Sequence, residues 1–215
     1  MHRSDDPTSL GETGMALDDV HLTALEDYWR SIADASTIPA RTDLDPSKIE
    51  QVLPSAFILQ RVAQGTARFR VAGQRIHDLL KLDPRGMPFS TLFDQDEHYN
   101  LRNLVEGAFS DPAIVGLPLL SHGNMLRPAL SGAMLLLPMR DGTGATTRLL
   151  GALITPAHHT LKPRRFTIRS DSRNRYERLG ALKPKLVSFM PKPAPKAKRP
   201  DTMTRTALKL VVSNG

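Results

Sequence analysis

The chain has 215 residues, 40% of them apolar and 5% aromatic, which suits one domain of ordinary size with extensions. It has no cysteine, which excludes disulfides, iron–sulfur clusters and thiol nucleophiles and fits a reducing compartment. Of the 29 Lys and Arg, fifteen fall in residues 156–215 beside three of the 22 Asp and Glu, so a segment of net charge +12 follows a body of net charge −5, and the high isoelectric point belongs to the segment.

Residues 1–16 are polar, contain Gly and Pro, and are expected to be disordered. They lack the apolar core of a secretory signal, and no run of eighteen apolar residues occurs in the chain, so a cytoplasmic protein is expected. A helix is predicted over 17–34, with Val20, Leu22, Leu25, Tyr28, Trp29 and Ile32 on one stripe and Asp18 or Asp19 as its cap. Pro39 and Pro46 bracket an extended connector, in which a local pair of Arg41 with Asp43 or Asp45 is expected; Asp45-Pro46 opens a short helical turn.

The stretch 52–93 carries the clearest pattern. Ala56–Leu59 is an apolar strand, and Gln64-Gly65 reads as a hairpin turn. Ala67, Phe69 and Val71 then alternate with Arg68 and Arg70, as in a half-buried antiparallel strand. After Gly73 the period changes: Ile76, Leu79, Leu80 and Leu82 predict a helix that Pro84 and Gly86 stop. A further helix is expected over 94–109, then strands over 113–121, 127–139 and 148–155, the last two joined by a hairpin. The order predicts an α+β domain over 17–155: a five-stranded antiparallel sheet with helices on one face and a cavity between them, preceded by the amphipathic helix. From 156 the chain is basic and rich in Pro and Lys. It is expected to be largely disordered, apart from a short strand over 161–169, a short helix near 176–182 and an apolar end, Ala207–Val212.

Several residues in this order carry a resemblance: Tyr28-Trp29, Pro39-x-Arg41-x-Asp43-Leu44-Asp45-Pro46, Leu53-Pro54-x-Ala56-Phe57-Ile58-Leu59, Phe69–Gly73, Gly86–Phe89, Leu135–Pro138 and Leu150-Gly151. The sequence resembles the PAS-like family of small stand-alone alphaproteobacterial proteins, once catalogued as a domain of unknown function. The resemblance implies a PAS fold, a sensory or protein-contact role, and action by binding, since no kinase or cyclase is encoded here.

The residues then give candidate sites. A PAS cavity would be lined by Phe57, Leu59, Phe69, Val71, Ile76, Leu80, Leu104, Leu135 and Leu137, although the same residues can simply pack on each other. Haem is disfavoured: His77 falls outside the helix stripe, and His98 sits in an acidic cluster that reads as a solvated helix start. A flavin forming a cysteine adduct is excluded, so no cofactor is expected. His158-His159 lacks metal-ligand spacing, Gly142-Thr-Gly144 reads as a turn rather than a phosphate loop, and no nucleophile or carboxylate pair suggests catalysis.

A protein partner is expected on the sheet or the first helix. Leu22, Leu25 and Trp29 form a candidate dimer face, since PAS domains commonly pair through that helix. Arg164, Arg165, Arg169, Arg173, Lys196, Lys198 and Arg199 are candidate contacts to nucleic acid, an anionic surface or an acidic partner, which is the alternative reading of function.

Overall fold

A computed structural model of the chain describes residues 19–33, 37–125, 127–157, 162–169 and 174–180. Among the described residues, three α-helices, α1 (Val20–Ile32), α2 (Gln74–Leu80) and α3 (His98–Ser110), accompany a single antiparallel sheet. Its strands are β1 (Ala56–Ala63), β2 (Thr66–Ala72), β3 (Ala113–Ser121), β4 (Leu130–Arg140), β5 (Thr146–Ile154), β6 (Thr167–Ile168) and β7 (Arg175–Arg178). The spatial order is β2-β1-β5-β4-β3-β6, with β7 also paired to β3. The first five strands are those expected from sequence. Of the other two, β6 falls within the short strand expected around it, β7 stands where a short helix near Tyr176 was expected, and both extend the expected five-stranded sheet.

Each element follows from its local sequence. Asp19 caps α1 by accepting a hydrogen bond from the His21 N–H at 2.9 Å, and Asp45 caps the turn Pro46–Ile49 through the Ser47 N–H at 3.0 Å. The β1–β2 hairpin closes with Ala63 opposite Thr66, and Gly65 takes a φ of 64° that a side chain would disfavour. Glu106 of α3 then holds the turn by accepting from the Gly65 N–H at 2.7 Å, from the Ser110 hydroxyl at 2.7 Å, and from Arg61. These bonds, the Ser110 hydroxyl foremost, keep the Glu106 carboxyl below its ordinary pKa.

The sheet is apolar on both faces. Its inner face, with α2, α3 and the loop 87–93, buries Phe57, Leu59, Phe69, Ile76, Leu80, Val115, Met134, Leu136 and Leu149. On the outer face α1 lays Leu22, Leu25 and Trp29 against Ile114, Leu135, Leu137, Leu150 and Ala152. Helices therefore cover both faces, not one. Sequence period alone left this open, because β4 is apolar at every position from Met134 to Pro138.

The Trp29 indole donates to the Pro138 carbonyl at 3.0 Å. Burying each of the three α1 anchors contributes about 1.5–3 kcal/mol. An ionic clamp closes the arrangement: Arg175 of β7 donates to both Glu26 oxygens at 2.6 and 2.8 Å, and Arg30 bridges Glu26 and Glu177 at 2.8 and 2.6 Å. Among the described residues no helix is long and apolar enough to cross a membrane.

Candidate functional site

Between the sheet and the helices, where a cavity was expected, aromatic rings cluster in the core. Phe57 meets Phe69 edge-on at 5.5 Å and Phe89 at 5.8 Å; Phe69 and Phe89 are 5.8 Å apart, and Phe89 meets Phe93 at 5.3 Å. Gly151 of β5 makes room for this cluster, since a Cβ there would stand 2.2 Å from the Phe57 ring. Phe57, Leu59, Phe69, Ile76 and Leu80 meet in this core, and Leu104 packs on it half-buried.

Three cavity candidates lie elsewhere. Leu135 and Leu137 point to the outer face under α1, because Leu136 takes the inward register. Alternation fixes a face only when one face is polar. Val71 is 52% exposed: a bulge between Ile58 and Leu59 turns it opposite Ile58, out of the inward series of Ala67 and Phe69.

Among the openings lined by described residues, two flank this core. The smaller, about 120 Å³, lies at the hairpin turn between Thr66, Phe89, His98, Leu101 and Arg102. His98 is half-buried there, its Nε2 3.1 Å from the Ser90 carbonyl, so it is not the solvated helix start that its acidic neighbours suggested. His77 faces Asp83 at 3.9 Å. Asp83 itself is held at about 2, chiefly by the Arg85 guanidinium.

The larger opening, about 180 Å³, lies on the outer face beside the connector. Leu44, Pro46, Leu53, Ile58, Val71 and Leu150 line it, and Arg41 joins the lining. Arg41 has no ion pair among the described residues. Asp43 instead accepts from the Ala40 N–H at 2.8 Å, which replaces the expected local pair. Leu53, Val62 and Val71 stay exposed on this side, with Arg68 and Arg70 exposed beside them, because α1 covers β4 and β5 but not the hairpin.

The expected dimer face is corrected. Leu22, Leu25 and Trp29 are each 1% exposed and are spent on the chain's own sheet, so they present no surface to a second copy. An amphipathic stripe reports that a helix docks, not on what.

The basic candidates also divide. Arg165 is exposed, and the Arg169 N–H donates to the Pro118 carbonyl at 2.9 Å. Arg173, Lys196, Lys198, Arg199, the apolar end 207–212 and the His158-His159 pair lie outside the described residues. Arg164 is 2% exposed, so it cannot track a polyanion backbone as expected. The strap from 162 to 169 buries it by pairing Phe166 with Leu92 and its own N–H with the Leu79 carbonyl at 2.8 Å. Burial, with the Arg127 charge nearby, pulls its pKa below the ordinary arginine value. Among the described residues no group of three or more His, Asp or Glu could hold a metal ion.

No curated protein matches the sequence significantly. A family model described as a PAS domain matches residues 18–154, from the residue before the cap of α1 to the last residue of β5. That span holds the aromatic core, both openings and the first five strands, and over it the chain belongs to the PAS domain family.

Proposed function

We propose that this protein is a non-enzymatic interaction module of the PAS sensory class, which works by docking a protein partner on the uncovered outer face of the β1–β2 hairpin. The observation that carries the reading is the apolar groove of Leu44, Leu53, Ile58 and Val71, left open by α1 and lined as well by exposed Arg41, with exposed Arg70 next to Val71 in β2. Exposed apolar area with a charged rim is the ordinary composition of a contact surface. The partner's chemistry follows: apolar side chains for the groove, carboxylates for the arginines. The aromatic filling of the inner core favours contact over capture of an internal small molecule, and no cofactor is proposed.

The test is native mass spectrometry of the protein purified from its own host, with an absorption spectrum on the same sample. A co-purified protein that is lost from Val71→Asp, at unchanged melting temperature, supports the reading. A stoichiometric small molecule or chromophore in place of a protein would make the domain a ligand sensor and overturn it.

A further inference from the structure

Four buried side-chain polar atoms lack a partner among the described residues: Ser121 Oγ, Arg127 Nε, Arg148 Nε and Arg164 Nε. Three of them gather at one end of the sheet. Ser121 ends β3 and pairs with Leu130 at the start of β4, while Arg127 and Pro128 lead into β4. The strap carrying Arg164 runs alongside, held to β3 through β6.

The two arginines are interlocked. Arg127 donates to the Pro163 carbonyl at 3.2 Å, and Arg164 donates to the Pro128 carbonyl at 3.0 Å. Each guanidinium thus reaches the residue next to the other. Arg164 is 2% exposed and Ser121 1%, whereas Arg127 is half-buried. No carboxylate pairs with either arginine among the described residues, whereas Arg30, Arg85 and Arg178 each have one.

Two neighbouring cations of which one is fully buried, each satisfied only by a neutral carbonyl, are electrostatically incomplete. Burying a charge without an opposite charge is costly, and the guanidinium fork is shaped to hold an oxyanion through two parallel N–H bonds. Carbonyls take one N–H of each arginine and leave donors on both unused.

We propose that Arg127 and Arg164, with the Ser121 hydroxyl, form a binding site for a small oxyanion, a phosphate or carboxylate group, at the β3–β4 end of the sheet. Arg127 is the more accessible donor and Arg164 the buried one. The site stands apart from the hairpin groove and does not rest on the interaction reading.

The experiment is thermal unfolding and isothermal titration of the full chain with inorganic phosphate and, separately, acetate, each against sodium chloride at matched ionic strength. One oxyanion should bind saturably and raise Tm by roughly 3–6 °C at ten times its half-saturating concentration. Arg127→Gln should weaken that binding at least tenfold. Arg164→Met should do the same; where it fails to fold, Arg127→Gln alone decides. Arg165→Gln, which removes an exposed neighbouring charge, should leave affinity unchanged. Which of the two oxyanions binds tells phosphate from carboxylate. No shift beyond chloride for either, or equal losses from Arg127→Gln and Arg165→Gln, would overturn the site.

Discussion

Gly151 and Phe57 occupy one volume between them. Gly151 sits directly opposite Phe57 in the β1–β5 register, and the ring lies where a Cβ would be. The ring cannot yield cheaply, because Phe69 and Phe89 hold its other sides. Gly151→Ala should therefore cost about 1–3 kcal/mol in urea unfolding, the usual range for overpacking a filled core. A neutral result would mean that the aromatic cluster has slack, and the case against an internal ligand would weaken with it.

Glu26 makes a second prediction at this scale. Burial would raise its pKa, but the bonds from Arg175 and Arg30 outweigh that and hold it below the ordinary 4.5. A carboxylate depressed in the folded state binds fewer protons there than when unfolded. Its contribution is thus present above the unfolded pKa and fades as pH falls from about 4.5 downward. Glu26→Gln should cost about 1–3 kcal/mol at neutral pH and flatten the acid limb of the stability curve below that value. An acid limb of unchanged slope would sink this account of the clamp.

At the scale of elements, the reach of the domain is the point at issue. The five main strands were legible because each carries its own signal, such as the Ala67–Val71 alternation or the unbroken run 134–138. Two things were not legible. The first was which face α1 takes: both faces of β4 and β5 are apolar, so Leu135 and Leu136 read alike until the sheet's partners are placed. The second was β7, whose sequence, Arg-Tyr-Glu-Arg, is short and polar. Only long-range pairing to β3, and Arg175 to Glu26, makes it a strand. A basic composition hid a buried arginine and a buried phenylalanine in the same strap. Phe166 is wholly buried in the inner core and bridges to Phe93, so Phe166→Ala should cost about 3–5 kcal/mol. A domain closed at residue 155 would scarcely notice the change, so equilibrium unfolding of this one variant places the boundary.

For the whole molecule, the question is whether the two proposed sites communicate. The groove lies on β1, β2 and β5; the arginine pair lies at the far edge, where β3, β4 and β6 meet. Within the sheet, Leu150 pairs with Leu137 while the arginine end begins at Leu130, so strand geometry alone separates the sites by roughly 20 Å. Coupling over that span needs an element with two arrangements that both ligands bias. The sheet between them is packed on both faces, and interiors of that density transmit strain but seldom switch. Occupancy of one site should then leave the other unchanged. Titrating the co-purified partner with and without saturating oxyanion should give dissociation constants equal within about twofold. A change beyond about fivefold would have to appear reciprocally in the oxyanion's own affinity. It would reveal a second packing of β3 and β4 against α1, and it would turn a docking module that carries a separate anion site into a sensor that reports through its groove.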